Sequence, residues 1–450
     1  MKKTIFWLGL LFVGFHTAFA QTNYESSFKD ENVISGNVGF TTIGEQTFVG
    51  FRLQPEFSFG KIGLGLDVPL LFDIENGNLR TEEFSNGVGV LRMIRYLRYG
   101  VKKEDPVYVK LGDMTGERLG YGAILGNYTN AVSFERRKVG ISADLLFEKK
   151  IGLEFLYSDL NFDGSLKLLA VRPYYKPFGA LEIPIVNTIE FGLSMVVDKD
   201  DFEETTDTGT TNHTQFTRDG NKAYGVDVGA ILLKNMFLEL TADIQYAKLL
   251  KNDALAAHIS NTVPTANYDT GQGYAIGLEG GFNFIANVLH VNARIERQWY
   301  GDNYIPQFFN FAYEINKDAR LQELVPAENS QGIYARLGSE ILDLVKVKGE
   351  LLLPDDLENS NRGAIVGLSL QTKEIANFRV RGTYVKSQLT NLDDAFKFNG
   401  NALANALVTY RLNQFMEAGV DYQWTYAQKD DGTFGTVNQV RPYIGFSMKF

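Results

Sequence analysis

The chain has 450 residues, no cysteine, and 54 acidic against 44 basic residues, for a formal net charge of −10. The acidic balance argues against a nucleic-acid partner, and the absence of cysteine excludes disulfides, thiolate metal sites and a lipid-modified N-terminal cysteine. Aromatic residues make up 13% of the chain and 44 residues are glycine, a composition typical of strands, turns and interfacial aromatic girdles.

Residues 1–20 have the pattern of a cleaved secretory signal peptide. Two lysines precede the apolar run Ile5–Phe15, and an A-x-A cleavage motif ends at Ala20. The run is shorter than the roughly 20 residues of a membrane-spanning helix, and no later apolar run reaches that length. The sequence therefore predicts a mature chain, residues 21–450, that leaves the cytoplasm and is either soluble or crosses a membrane as strands.

The first elements of the mature chain alternate in the manner of strands. The segments "TFVGFRLQPEFSFG" and "KIGLGLDVPLLF" predict two strands joined by a Gly-Lys turn. After an acidic loop, Arg92, Arg95 and Arg98 recur every three residues. This spacing fits a short amphipathic helix folded into the centre of the protein, with three charges on one face, or an irregular strand whose arginines meet lipid phosphates or acidic residues.

Residues 107–134 contain five glycines and no clean two-residue period. The stretch resembles uncharacterised bacterial outer-membrane proteins, a resemblance that implies no activity. A pair of bulged strands with a flexible connection would give the same pattern. We therefore treat residues 88–134 as a candidate inward-folded or irregular segment.

The second half of the chain contains regularly alternating segments. In "VLHVNARIERQWY" apolar and polar residues alternate, and "YAIGLEGGFNF", "MFLELTADIQYA" and "FMEAGVDYQW" repeat the pattern. These segments are near the length of about 9 to 11 residues that a tilted strand needs to cross hydrocarbon. They predict strands with one lipid-facing and one wet face.

The connections alternate between short and long. Tight turns are predicted near residues 234–235, 286–287, 342–344, 373–374 and 413–414, and long polar stretches cover residues 198–222, 248–272, 301–330, 354–362, 389–401 and 428–437. Bacterial outer-membrane barrels have short periplasmic turns and long outer loops. The predicted fold is all-β: a transmembrane antiparallel β-barrel of about 16–20 strands over residues 21–450.

Two stretches contain residue types that bind metals or act in catalysis. The acidic stretch Asp198–Asp207 could supply oxygen ligands, but it lacks the glycine and terminal glutamate of a calcium loop, so we expect a solvated loop and no metal. "HISN" at residues 258–261 is similar to the H-x-S-N stretch of the outer-membrane phospholipase family, which implies Ser260 as nucleophile and His258 as base. Because Thr262 replaces the family's glycine and the flanks read as an outer loop, no catalytic residue or cofactor is predicted.

The chain ends on an alternating strand whose last residue is phenylalanine. This ending resembles the signature by which the outer-membrane barrel assembly machinery recognises its substrates, and it implies Phe446, Met448 and Phe450 as the assembly signal. If the stretch 428–437 is an outer loop, the last strand descends and ends in the periplasm.

The predicted function is a channel in the bacterial outer membrane, surrounded by outer-membrane lipids, for passive diffusion of small hydrophilic solutes. Alternatives are a structural or secretion-complex barrel subunit and an outer-membrane lipid hydrolase. An energised receptor would need a large N-terminal plug, but only residues 21–33 precede the first strand-like residue. The predicted pore-lining residues are Arg92, Arg95, Arg98, Asp227, Glu239, Asp243, His290, Arg294, Glu296, Lys346, Lys348, Glu350, Arg379, Arg381, Asp421 and Arg441.

Overall fold

The chain folds as a closed antiparallel β-barrel of 20 strands, each hydrogen-bonded to the next strand along the chain. The structure, a computed structural model, describes residues 32–43, 46–81, 84, 87–130, 138–161, 165–200, 203–205, 211–213, 219–263, 266–285, 288–311, 313–314, 317–358, 363–397, 402–428 and 434–449. The predicted signal peptide, residues 1–20, lies outside these ranges. The predicted all-β transmembrane barrel is confirmed, with a strand number inside the predicted range.

The barrel strands follow one another in chain order. They are β1 (Val33–Ile43), β2 (Gln46–Phe59), β3 (Ile62–Leu66 and Val68–Asp73), β4 (Ile94–Tyr99), β5 (Val107–Gly112), β6 (Gly140–Phe147), β7 (Ile151–Tyr157), β8 (Leu166–Tyr175), β9 (Glu190–Lys199), β10 (Asn221–Lys234), β11 (Leu238–Leu249), β12 (Gly271–Ile285), β13 (Leu289–Tyr300), β14 (Ser330–Ile341), β15 (Val345–Pro354), β16 (Ala364–Thr372), β17 (Phe378–Leu389), β18 (Ala402–Arg411), β19 (Met416–Gln428) and β20 (Phe434–Lys449). Both segments of β3 pair with β2, and Asp67 separates them. The pairing of β1 with β20, from Val33↔Lys449 to Gly39↔Tyr443, closes the ring.

Three α-helices lie in the described parts of the connections: α1 (Gly87–Arg92), α2 (Asp253–Thr262) and α3 (Lys317–Gln322). Asn252 caps α2, because its side chain accepts a hydrogen bond of 2.9 Å from the Leu255 backbone N–H. None of the helices in the described part of the chain is long and apolar enough to cross a membrane.

The outer wall of the barrel is apolar. Exposed side chains alternate with buried ones along the strands, and large apolar residues occupy the exposed positions, including Phe191, Leu193, Met195, Val226, Ile244, Ile276, Ile295, Leu337, Val347, Val420 and Ile444. Such a band of exposed apolar side chains is stable only against lipid. The alternation read from the sequence therefore separates a lipid-facing set of residues from an interior set.

The two ends of the barrel differ in the length of their connections. One end carries tight turns at residues 60–61, 148–150, 235–237, 342–344 and 412–415, and the other carries the connections 74–93, 200–220, 250–270, 301–329 and 355–363. We call these the short-turn end and the long-loop end. The predicted Gly-Lys turn is Gly60–Lys61, whereas the predicted turn at Asn287 lies outside the described residues.

The arginine row is split between a helix and a strand. Helix α1 ends at Arg92, whereas Arg95 and Arg98 lie on β4, so the interpretation of one helical face is wrong. The register of β4 against β3 skips Arg95, since Tyr96 pairs with Gly65 and Ile94 with Leu66. A bulge shifts the alternation by one residue, and Arg95 and Arg98 therefore both reach the interior despite their odd spacing.

The loop asymmetry predicts sidedness. A cysteine introduced at Ala257, on α2 at the long-loop end, should react with a membrane-impermeant maleimide on intact cells, because long loops face outward in bacterial barrels. A cysteine at Gln414, in the turn between β18 and β19, should react only after the cells are broken. If Gln414→Cys reacts on intact cells and Ala257→Cys does not, the barrel has the opposite orientation in the membrane.

Candidate functional site in the barrel lumen

Residues 113–130, the inward segment, leave the wall and fold into the lumen. The segment follows the end of β5 and precedes β6. Gly112 at the end of β5 and Gly140 at the start of β6 are register partners, so the wall is continuous on either side of the segment. At its base the Met114 N–H donates to Asn130 Oδ1 at 2.8 Å, and the Asn130 N–H donates to the Met114 carbonyl at 3.0 Å. Met114 and Tyr128 are fully buried. The absence of a two-residue period in this stretch follows from its packing on all sides.

The inward segment is hydrogen-bonded to strands far apart around the wall. The bonds are Gly120 N–H to Glu154 Oε2 at 3.1 Å, Ala123 N–H to Gln245 Oε1 at 2.9 Å, Arg118 Nη2 to Glu279 Oε2 at 3.3 Å, and Asn127 Nδ2 to Glu350 Oε2 at 2.9 Å. These acceptors lie on β7, β11, β12 and β15. The segment is thus fixed across one side of the lumen.

The connection between β13 and β14 packs on the inward segment from the long-loop end. The Gln307 N–H donates to the Ala123 carbonyl at 2.9 Å, the Gly126 N–H donates to the Phe309 carbonyl at 3.2 Å, and the Phe309 N–H donates to the Ile124 carbonyl at 3.2 Å. The two pieces share an apolar core with the wall that includes Leu119, Ile124, Leu125, Tyr128, Leu168, Val196, Phe308, Phe309, Tyr313, Leu321 and Leu324. This side of the lumen is therefore a packed interior rather than open water.

A buried arginine holds three wall carboxylates beneath the inward segment. Arg172 on β8 is fully buried, and its guanidinium donates to Glu154 at 2.7 Å, to Glu190 at 2.6 Å and to Asp227 at 2.5 Å. Gly120 passes directly over it, since a Cβ there would lie 2.7 Å from Arg172 Nε. A residue with a side chain cannot replace this glycine without moving the guanidinium, and the Gly120 φ of +57° also favours glycine.

A second arginine cluster lies beside the first. Arg294 donates to Glu296 at 2.5 Å and to Asp243 at 3.0 Å, and Glu279 joins it to Arg118 of the inward segment. The Tyr121 ring lies 5.8 Å from the Arg172 guanidinium and 5.9 Å from that of Arg294. Tyr121 is thus placed between two cations, an arrangement that cation–π attraction stabilises.

A third cluster anchors the β13–β14 connection. Lys317 Nζ lies 2.7 Å from Asp198 and 2.9 Å from Asp200, and Lys138 Nζ lies 2.7 Å from Glu314. Burial disfavours the charge of Lys317, but the three surrounding carboxylates outweigh burial and raise its pKa above the ordinary lysine value. Burial also opposes the Glu314 charge, but Lys138 and Lys317 lower the pKa of that carboxyl. Both groups therefore stay ionised at neutral pH.

This cluster corrects the expectation for the acidic stretch. Asp198 and Asp200 are buried and paired to lysines rather than solvated. Asp201 and Asp207 lie outside the described residues. Within the described ranges, no three His, Asp or Glu side chains are placed to hold a metal ion.

The opposite side of the lumen carries an excess of basic side chains, the basic arc. Its inward-facing members among the described residues of β2–β4 and β15–β20 are Arg52, Arg95, Arg98, Lys346, Lys348, Arg379, Arg381, Arg411 and Arg441, against the inward-facing acids Glu56, Asp67, Asp73, Glu350, Glu417 and Asp421. Arg52 Nε donates to Asp67 at 2.6 Å, and Arg95 and Arg379 form ion pairs with Glu56 and Glu417. Among the described residues, nine cations against six anions give this side of the lumen an excess of positive charge.

Arg381 is distinctive in the basic arc. It pairs with Gln371 across β16 and β17, faces inward beside Ser369 and Thr383, and is nonetheless exposed. Among the described residues it has no ion pair, although Arg95, Glu56 and Arg379 lie within electrostatic range. An inward-facing arginine that is exposed indicates water in this part of the lumen.

The remaining sequence-predicted residues occupy several places. Asp227, Asp243, Arg294 and Glu296 lie in the buried clusters, and Glu350 hydrogen-bonds to Asn127 and Tyr334. Near the short-turn end, Glu239 pairs with Lys234, Lys346 pairs with Glu340, and His290 contacts Asn283. Arg92 ends α1. That these residues line a permeation path stays a prediction.

Sequence reasoning missed the residues that pin the inward segment. Arg172, Glu154 and Glu190 are not among the predicted site residues, although each occupies the inward face of a strand whose outward positions are mostly apolar. Arg118 and Tyr121 belong to the stretch without a period, where no pattern could assign a direction. The signal available was the alternation of β7, β8 and β9.

The two motif resemblances fall in different settings. His258 and Ser260 lie on α2, and the Ser260 hydroxyl donates to the Ala256 carbonyl at 2.9 Å rather than to a histidine. Phe446 and Met448 lie on the outward face of β20. Phe450 lies outside the described residues, and the assembly signal stays a prediction.

Comparison with known proteins found similar solved structures but no related sequence. No protein-family profile and no curated protein matches the sequence. Among solved structures, the chain is similar to Wzi of Escherichia coli, an outer-membrane protein involved in group 1 capsule assembly and a carbohydrate-binding β-barrel, with 12% identity over 94% of this chain and 86% of Wzi and a TM-score of 0.37. It is also similar to OprD of Pseudomonas aeruginosa, with 10% identity over 96% of this chain and 98% of OprD and a TM-score of 0.34. At these TM-scores the likeness carries no argument about function.

Proposed function

We propose that this chain is a channel of the bacterial outer membrane through which small hydrophilic solutes diffuse passively along the basic arc. The observation that carries the proposal is Arg381, an inward-facing cation that is exposed and has no ion pair among the described residues. Lys348 on β15 also faces inward and is exposed. Water-filled lumens of barrels are lined by such polar side chains, whereas packed interiors are not.

The net positive charge of the arc favours anionic solutes. A fixed charge beside a narrow aqueous path attracts counter-ions and repels ions of its own sign, and the low-dielectric wall weakens screening. The packed side of the lumen contributes little to this preference, because its arginines and carboxylates form closed clusters. The proposed path therefore runs beside β1–β4 and β15–β20.

The arc predicts a change in ion selectivity. In planar bilayers with a KCl gradient, the refolded protein should conduct and its reversal potential should indicate anion preference. Removing one unit charge at about 8 Å from the ion path alters each ion's energy by about 0.5 kcal/mol in water. Arg381→Gln should thus lower the anion-to-cation permeability ratio roughly two- to fivefold, and Arg381→Glu should lower it further.

The matched control is Lys149→Gln, which removes an exposed charge from a short turn outside the lumen. It should leave the reversal potential unchanged. A refolded barrel without conductance would contradict the channel and favour the second candidate, a structural or secretion-complex subunit, which the packed inward segment also supports. Conductance with unchanged selectivity in Arg381→Glu would place the path elsewhere in the lumen.

A further inference from the structure

The outer face of the barrel carries an unusual group of three lysines at the long-loop end. Lys199 ends β9, Lys222 is near the start of β10, and Lys248 is near the end of β11. Each shares the outward face of its strand with exposed apolar residues: Met195 on β9, Val226 on β10 and Ile244 on β11. We call these three residues the lysine rim.

The register places the three side chains in a diagonal row across neighbouring strands at the long-loop end. Lys222 is opposite Val197, two residues before Lys199, and Lys248 is opposite Tyr224, two residues after Lys222. A Cβ built on Gly220 would lie 3.0 Å from Lys199 Cγ and 3.2 Å from Lys222 Cε, so both stems run beside the same turn. Neighbouring strands are about 4.8 Å apart, and each step also moves two residues, about 6.6 Å, along the strand, so the Cα atoms of adjacent lysines lie about 8 Å apart and those of Lys199 and Lys248 about 16 Å apart.

No acidic side chain in the described ranges forms an ion pair with any of the three lysines, the adjacent Asp219 included. Two other outward-facing cations near this end, Arg297 and Lys386, are compensated. Arg297 forms a bidentate pair with Asp355 at 2.7 and 2.5 Å, and Lys386 donates to the backbone carbonyls of Asp394 and Lys397. Clustered like charges are unfavourable, and the lysine rim has no acidic counter-charge in the part of the chain that the structure describes.

The residues around the lysine rim indicate that its anionic partner is a lipid head group. Directly toward the membrane lie Tyr224, Tyr246 and Tyr274, and the rings of the last two are 5.0 Å apart. Tyrosines at the edge of an apolar band mark the level of the lipid head groups. Lysine stems extend along apolar surface and place the ammonium in that polar layer.

We propose that the lysine rim binds the phosphate groups of an anionic lipid in the leaflet at the long-loop end. The tyrosines would contact its sugar or glycerol portion, and the apolar strands below would contact its acyl chains. A lysine ammonium binds phosphate as a point charge, and a row of three lysines whose neighbouring Cα atoms are about 8 Å apart suits a head group with more than one phosphate. The inference depends on the barrel being in a membrane and is independent of conductance.

The test measures lipid affinity of the full-length mature barrel in detergent by native mass spectrometry. The probes are diphosphoryl lipid A and the same lipid A after enzymatic dephosphorylation. The wild type should retain the phosphorylated lipid, and the variant Lys199→Gln, Lys222→Gln, Lys248→Gln should bind it on the order of 100-fold more weakly, since each lysine near an anionic surface contributes about fivefold. Replacement of the three lysines by arginine should retain binding.

The matched control is the variant Lys61→Gln, Lys149→Gln, Lys150→Gln, which removes the same charge from turns at the short-turn end. It should bind the phosphorylated lipid as the wild type does. Equal loss in the control, undiminished binding in the rim variant, or equal wild-type affinity for the dephosphorylated lipid would each overturn the proposal. Heat-modifiable migration in gels verifies that every variant is folded. If the glutamine variant fails to assemble, the proposal is tested with the arginine variant, which must still bind the phosphorylated lipid more tightly than the dephosphorylated lipid.

Discussion

Replacing Thr115–Thr129 by two glycines is expected to raise the single-channel conductance about twofold or more. The deletion keeps the base of the inward segment, because Met114 and Asn130 already face each other through two hydrogen bonds and a two-glycine connection suits such a hairpin. It removes Arg118, Tyr121 and the apolar residues that fill one side of the lumen. Conductance follows the water-filled cross-section, so the enlarged lumen should carry more current.

Single-channel recordings in planar bilayers measure this effect. Arg118→Gln serves as a matched comparison, since it removes one tie to Glu279 but leaves the fold of the segment and should change conductance little. The deletion variant must show the heat-modifiable migration of the wild type. Wild-type conductance in a correctly folded deletion variant would show that the segment does not limit the path.

Arg172→Leu is expected to reduce the stability of the folded barrel by about 3–5 kcal/mol, the usual cost of removing one partner from a buried charge cluster. The substitution would leave Glu154, Glu190 and Asp227 buried without their cation. The inward segment would also be less well held, because its Gly120 N–H is bonded to Glu154. Urea unfolding in detergent, followed by tryptophan fluorescence, measures the change.

A control substitution on the outer wall distinguishes the loss of a buried ion pair from the loss of an exposed one. Arg297 also pairs bidentately with a carboxylate, that of Asp355, but both side chains are about one-third exposed, at 34% and 39%. Arg297→Leu should therefore cost at most about 1 kcal/mol. Neutralising the carboxylates together, as Glu154→Gln, Glu190→Gln and Asp227→Asn, should restore part of the stability of Arg172→Leu. A loss in Arg172→Leu no greater than in Arg297→Leu would contradict the structural role of the cluster.

The wall could be predicted from the sequence because its side chains have only two environments. In β12, β13 and β19, lipid on one face and a polar lumen on the other impose the two-residue period directly. The same reasoning located most turns, because a tight turn and a long polar loop differ in length. Strand number is harder to predict, since β3 is interrupted at Asp67 and β4 to β7 are short.

The lumen could be predicted only in part. Arg294, Asp243 and Glu350 were correctly given an inward direction, but alternation does not distinguish a side chain in water from one in a closed cluster. Arg95 illustrates a second limit, because a bulge changes the facing of every residue beyond it and leaves no clear mark in the sequence. The partners of residues 113–130 are long-range contacts, which a single sequence does not reveal.

The position of the inward segment also constrains the order in which the protein acquires its structure. Arg118 and Asn127 reach partners 161 and 223 residues further along the chain, at Glu279 and Glu350. Contacts so distant in sequence form only after the intervening chain has been ordered, and their formation is correspondingly slow. During biogenesis the segment therefore does not form its contacts with Glu279 and Glu350 until the strands that carry these residues have been formed. Unlike an N-terminal plug, which has one free end, it is joined to the wall at both ends, and the ring must close around it.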